Sequence, residues 1–252
     1  MTAEQKSTGV HTNPIQELVH GNGYTVLKGV ISRQEAGAVR EEVLGRLAEG
    51  TRAGDGVIRV GSILEWGERF ERLATNPTLL CVAHELLGED ATLGAFSARV
   101  LMPGCEMGGL HIDFPYWAMN AGMPVEPALM LQVIWMMEPF TEVNGGTWVA
   151  PGSQKFSGVP ELARFAGNAL QATGDAGDAV LSHGLLWHRT ALNQSDQPRV
   201  AILINYTQLT VRPMVPWNLS DEFISRISPQ MRSLLSLDYA LALKKRVTTH
   251  AG

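Results

Sequence analysis

The sequence predicts an α+β protein in which helices pack around two antiparallel sheets, and three observations carry that expectation. Short strand-like runs follow one another from about residue 91 onward. Gly, Pro, Asn and Asp punctuate them, with no long helical stretches between, which argues for a sandwich or barrel and against a parallel βαβ sheet. Helix-capping signatures stand before these runs and again near the C-terminus.

The elements follow in order. Residues 1–13 are polar and read as a flexible tail. GYTVLKGV (23–30) alternates and carries β-branched residues, so it reads as a strand. Ser32 with Glu35 forms a capping box, and Val39, Val43 and Leu47 make one apolar stripe on the helix behind it. Residues 50–72 are Gly-rich, lack a clear period and read as a loop that touches the functional site. Asn76, Pro77 and Gly88 bracket a second helix. Strand-like runs then occupy 92–102, 129–138, 146–152, 177–184 and 199–211, and Ser220 and Ser228-Pro229 open two short helices. The sum is a jelly roll flanked by helices, expected as one domain over residues 1–252, with a ligand site at the mouth of the roll.

Composition narrows the partners. The net charge is -5 and the basic residues are scattered, so no footprint for nucleic acid or anionic membrane exists. No run reaches the roughly 18 apolar residues that span a bilayer. The polar N-terminus has no apolar signal core, which points to a cytoplasmic protein. Cys81 and Cys105 lack metal-type spacing and read as buried free thiols. A monomer or homodimer is expected.

The chemistry concentrates in GGLHIDFPYW (108–117). On a strand, residues i and i+2 share a face, so His111 and Asp113 project together while Ile112 faces away. LLWHRT (185–190) offers His188 as a third ligand. Two histidines and one carboxylate on one face of a metal leave the other face open, the arrangement associated with non-haem Fe(II) oxygenases. The open face takes a bidentate 2-oxo acid and then dioxygen. An H-x-D triplet alone is common, but Arg199 follows at the start of RVAILINY. Its permanently charged fork suits the distal carboxylate of 2-oxoglutarate.

With these residues in place the chain resembles the phytanoyl-CoA dioxygenase (PhyH-like) family of Fe(II)/2-oxoglutarate oxygenases. The resemblance covers roughly residues 20–215 and rests on GYTVLKGVISRQEA, HIDF, EVNGGTWVAPGSQK (142–155) and GDAVLSHGLLWHRTALNQSDQPR (177–199). It implies a double-stranded β-helix, Fe(II) on His111, Asp113 and His188, and 2-oxoglutarate anchored by Arg199. Two departures stand out. Related families place Ser or Thr two residues after the anchoring Arg, where Ala201 stands here, so another donor must complete the carboxylate pocket. The usual PGSH is PGSQ, with Gln154. Retention of Asp113 favours hydroxylation over halogenation, since the halogenating relatives have a small residue there.

Other candidates surround this core. Gln132 is a polar residue in an apolar strand and Trp148 lies in the NGGTWVAPGS segment; both are candidates to contact 2-oxoglutarate, against plain burial as the alternative. Ser97 and Arg99 share one face of the 92–102 strand, expected to point inward, and Arg99 is a candidate to bind substrate. Phe114, Tyr116 and Trp117 follow the metal triplet and are expected to line the substrate side, with Met137 and Phe156 beside them. Such walls suit a small, partly apolar metabolite from natural-product biosynthesis. No basic cluster awaits a coenzyme A phosphate. His183 reads as structural, and His11, His20, His84 and His250 lack a carboxylate at ligand spacing. Hydroxylation is the expected reaction, with desaturation, epoxidation or ring rearrangement possible on the same ligands. Outside this class stand a metal-dependent hydrolase or lyase and a non-catalytic ligand-binding jelly roll.

Overall fold

In the computed structural model, which describes residues 13–52, 54–61, 63–119, 122–214 and 216–239, the chain enters through α1 (Pro14–Val19). Asn13 caps this helix by accepting from the Ile15 N–H, so the segment read as a tail is ordered at residue 13. Residues 1–12, with His11, and His250 lie outside the described residues. β1 (Tyr24–Leu27) leads into α2 (Arg33–Gly45), where Ser32 accepts from the Glu35 N–H as its capping signature requires. The Glu35 carboxylate turns instead to Arg69 and Arg72.

The 50–72 segment differs from its reading as a loop. It forms β2 (Thr51–Arg52), β3 (Val57–Val60) and α3 (Glu68–Ala74). Four-residue VIRV is too short to show a period, yet Val57, Ile58 and Val60 are buried against the strand that follows. α4 (Pro77–Leu87) has the expected bounds, with Asn76 accepting from Thr78 and Leu79 at one end and Gly88 at φ 104° closing the other.

The strands are β4 (Thr92–Leu101), β5 (Met130–Met136), β6 (Thr147–Val149), β7 (Leu170–Ala172), β8 (Ala179–His183), β9 (His188–Arg189) and β10 (Arg199–Thr207). A short helix, α5 (Leu162–Ala166), precedes β7, and α6 (Asp221–Arg226) and α7 (Pro229–Leu234) follow β10 behind their Ser220 and Ser228 caps. Seven strands pair antiparallel in the order β1-β8-β5-β10-β4-β3-β2, and three more in the order β7-β6-β9. This is the double-stranded β-helix flanked by helices.

The pleat sends alternate residues of the large sheet to opposite sides. Phe96, Ala98, Val100, Leu131, Val133, Trp135, Val200, Ile202 and Ile204 join the main core with Val39, Val43, Leu79, Ala83 and Met231 of the helices. Their neighbours face inward, toward the small sheet, and form the site. Of the two cysteines, both free, Cys105 is buried as expected and Cys81 is exposed on α4. Among the described residues no helix is long and apolar enough to cross a membrane.

Candidate active site

β9 is two residues long, and the site depends on what it faces. His188 and His111 exchange both backbone hydrogen bonds, each at 3.1 Å, as an isolated antiparallel bridge. Gly108 extends the pairing: its N–H donates to the Thr190 carbonyl, and its carbonyl accepts from Arg189 Nε at 2.9 Å. Beyond His111 the chain leaves this ladder, so His111 and Asp113 do not share the regular strand that their spacing suggested. The Asp113 N–H donates instead to the Gly184 carbonyl at 2.9 Å, just after β8. Gly184 allows the approach, because a Cβ there would lie 2.7 Å from the Tyr116 ring.

The result is convergence. One potential ligand atom from each of His111, Asp113 and His188 lies within 4.8 Å of the other two. The imidazoles are 4.3 Å apart between centroids, and His188 Nε2 stands 3.8 Å from Asp113 Oδ2. Each histidine is oriented in the same way. His111 Nδ1 meets the Gly109 carbonyl at 2.8 Å and His188 Nδ1 meets the Leu186 carbonyl at 2.9 Å. A carbonyl only accepts, so each Nδ1 carries the hydrogen and each Nε2 keeps its lone pair for a metal.

The electrostatics match an absent cation. Asp113 is buried, and among the described residues Oδ2 has no hydrogen-bond partner. Burial raises its carboxyl from the ordinary 3.8 to about 6, opposed by His111 and Arg99. Burial lowers His188, and burial followed by the neighbouring His188 lowers His111, although solvent still reaches that ring. Both imidazoles therefore stay neutral and ready to ligate. A divalent cation at this point would satisfy the orphaned oxygen and both lone pairs. The donor set fits iron(II).

A cavity of about 770 Å³, counting its open mouth, adjoins the triad. Arg199 lines it and is almost wholly buried. Its Nη2 donates to the Gly145 carbonyl at 2.6 Å and its guanidinium lies 4.2 Å above the Phe140 ring, but Nε has no hydrogen-bond partner among the described residues. Burial lowers its pKa to about 10, opposed by Glu138. A guanidinium held in this way in the lining of a cavity fits a carboxylate. Gln132 also lines the cavity, accepting from the Ser182 hydroxyl at 3.3 Å, and so do Ser97 and Arg99.

Six aromatic or sulfur candidates fall elsewhere. Met137, one residue past the end of β5, belongs to the main core on the far side of the sheet, because its parity is opposite to that of Gln132. Tyr116 is fully buried, its oxygen accepting from the Leu129 N–H at 2.7 Å, and burial pushes its pKa to about 12. Trp148 packs behind the small sheet with Leu185 and Trp187, and it is Thr147 that faces the cavity. Phe156 stacks under Arg164 and edge-on to Trp187. Phe114 and the exposed Trp117 lie against one another, 5.7 Å apart, outside the cavity lining. Gln154 is buried with Nε2 donating to Gly21 O at 3.2 Å, which ties its turn to the end of α1. His183 is structural: its Nδ1 accepts from Leu185 and its Nε2 meets the Val125 carbonyl.

Sequence reasoning missed Thr147, Thr190, Leu203 and Asn205, all of which line the cavity. For three of them the signal was available. Thr190 is two residues beyond His188, and Leu203 and Asn205 continue the parity of Arg199 along β10.

Two imidazoles and a carboxylate at the mouth of a double-stranded β-helix, with an open face toward a cavity, define the class of mononuclear non-haem metal enzymes. The comparisons with known proteins agree. The phytanoyl-CoA dioxygenase (PhyH) family model matches residues 19–201, so the chain belongs to the PhyH family. It is a non-haem oxygenase that depends on iron and 2-oxoglutarate and acts on a small molecule. Dioxygenase af480 of Aspergillus fumigatus is 29% identical over 246 residues, covering 86% of this chain and 74% of that protein. L-proline trans-4-hydroxylase of Streptomyces griseoviridis is 28% identical over 185 residues, covering 60% and 68%. Among solved structures, the non-heme alpha ketoglutarate dependent epimerase SnoN from nogalamycin biosynthesis has the same fold. Its TM-score is 0.66 at 20% identity, covering 82% of this chain and 91% of that one.

Proposed function

We propose that this enzyme hydroxylates a small, partly apolar metabolite, with His111, Asp113 and His188 as the iron ligands and Arg199 as the anchor for the distal carboxylate of 2-oxoglutarate. Two residues of opposite charge that line one cavity carry this reading: among the described residues, the buried Asp113 Oδ2 and the buried Arg199 Nε have no hydrogen-bond partner. One is suited to a cation and the other to a carboxylate. Thr147 lines the same cavity two residues beyond Gly145, whose carbonyl holds Arg199. It offers the hydroxyl that Ala201 lacks.

Iron(II) with 2-oxoglutarate and dioxygen supplies the oxidising power, with succinate and carbon dioxide as the co-products. The chain's own residues set the geometry. The carbonyls of Gly109 and Leu186 fix the imidazole planes, and the Gly184 carbonyl fixes the loop that carries Asp113. The two sheets and the packed side of β10 shield the deep end of the cavity from water, which strengthens the pairing of Arg199 with a carboxylate. The wall of Ala95, Leu203 and Met214 suits an apolar substrate body, in keeping with a biosynthetic role. The free thiols of Cys81 and Cys105 fit a reducing, cytoplasmic setting.

The test is conversion of 2-oxoglutarate to succinate in the presence of Fe(II) and ascorbate, followed without and with candidate metabolites. Turnover stimulated by one metabolite, with a product heavier by one oxygen atom, is the expected result. Absence of both 2-oxoglutarate binding and turnover would leave a metal-dependent hydrolase or a binding protein instead.

A further inference from the structure

The cavity carries a second guanidinium, that of Arg99. Arg99 sits on β4 directly opposite Ala201 of β10, half-buried in the cavity wall. Among the described residues no hydrogen bond or ion pair engages it. On its other side, across the β3–β4 pairing, stands Arg59, which is already held by Asp55 through contacts of 2.5 and 3.2 Å. The carboxylate that acts on Arg99 from within the cavity is Asp113, a member of the metal triad. A guanidinium keeps its proton in a protein, so half-burying one beside another calls for an anion.

Charge balance indicates where that anion comes from. On the reading given above, iron(II), the Asp113 carboxylate, the 2-oxoglutarate dianion and Arg199 cancel. Glu138 pairs with Arg40, as Asp55 does with Arg59. Arg99 is left as one uncompensated positive charge facing the triad. The β4 wall continues outward from Arg99 through Ser97 to Ala95, and the β10 wall from Ala201 through Leu203 to Asn205. Beyond the charge the lining combines the apolar Ala95, Leu203 and Met214 with the polar Ser97 and Asn205.

We propose that Arg99 anchors a carboxylate of the primary substrate, which makes that substrate a small monoanionic acid whose apolar body lies toward Leu203 and Met214. The inference rests on the iron and 2-oxoglutarate reading of the same cavity, and it concerns specificity. Arg199 serves the co-substrate and Arg99 the molecule that is oxidised.

The test uses the protein loaded with Mn(II), saturated with 2-oxoglutarate and kept free of oxygen. Small acids (N-acylated amino acids, aryl and alicyclic carboxylic acids) are titrated by calorimetry, each beside its primary amide. Acids are expected to bind and their amides to fail. Arg99→Gln should weaken the acids by at least about tenfold, the scale of one hydrogen-bonded charge. The same variant should keep its 2-oxoglutarate dissociation constant within about twofold of the parent, which also shows that it is folded, and Arg99→Lys should recover part of the acid affinity. Amides that bind as well as acids, or a series in which no acid binds, would overturn the proposal. So would an Arg99→Gln variant whose main loss is 2-oxoglutarate, since Arg99 would then serve the co-substrate. Failure of the parent protein to bind 2-oxoglutarate would instead remove the oxygenase reading, and this inference with it.

Discussion

Along β4, β5 and β10, neighbouring residues enter two different environments. Phe96, Ala98, Val133, Trp135, Ile202 and Ile204 pack outward under the helices, while Ser97, Arg99, Gln132, Arg199 and Asn205 face the cavity. The outward face is apolar and closed, so burial of apolar area there favours folding. The inward face buries Asp113 Oδ2 and Arg199 Nε without partners, which costs stability until ligands arrive. The same strands thus separate what holds the protein together from what it does. Substitutions on the two faces should have opposite signatures.

The largest effect is expected at His188. His188→Ala should abolish iron binding, read by calorimetry, and reduce turnover to background while the circular dichroism spectrum persists. A variant that stays active would remove His188 from the ligand set. Next comes Arg199→Leu, which should raise the apparent KM for 2-oxoglutarate by about 30-fold or more, since truncating one partner of a buried charge pair costs roughly 2–5 kcal/mol. An unchanged KM would place the anchor elsewhere.

On the opposite face, Ile202→Ala should destabilise the fold by about 2–5 kcal/mol in urea, with iron affinity intact. Parallel loss of iron affinity would break the separation of the two faces. Asp113→Asn reverses the sign. Burial raises the Asp113 carboxyl from 3.8 to about 6, so the folded protein holds that proton more tightly than the unfolded chain does. In the iron-free protein this group's contribution to stability falls as pH rises from about 4 to about 6, then levels off. Asp113→Asn should therefore stabilise the iron-free protein above pH 6, by at most about 3 kcal/mol, while losing iron. In the parent, iron affinity should weaken as pH falls below about 6, because protons compete for the same carboxylate. The smallest change is expected for Tyr116→Phe. It leaves the Leu129 N–H unpaired and should cost about 1–3 kcal/mol of stability without altering substrate KM.

What could be read early was local. The caps at Ser32, Asn76, Ser220 and Ser228 act within three residues of themselves, and each occurs as expected. Burial alternates along the middle of β4 and of β10 because one side of the sheet is packed by helices, whereas β5 and β8 are buried on both faces. Short pieces of two to four residues stayed hidden, among them β2, β3, β7 and β9. Proximity in sequence misled in one place: Phe114, Tyr116 and Trp117 follow the H-x-D triplet, but the chain turns away after Asp113 into a short 3-10 turn at Tyr116–Ala118.

The sequence by itself determined the chemistry on offer: two imidazoles, a carboxylate and a guanidinium in an order that resembles one oxygenase family, on strands whose parity separates core from cavity. Only the tertiary structure decided that His188 would pair with His111, that Gly184 would hold Asp113 beside them, and that Arg99 would line the same cavity with no hydrogen bond or ion pair among the described residues. Parity is a property of one strand and is written in its residues. Which strands meet, and which charges find no partner when they do, depends on pairings between positions tens of residues apart that no local pattern encodes.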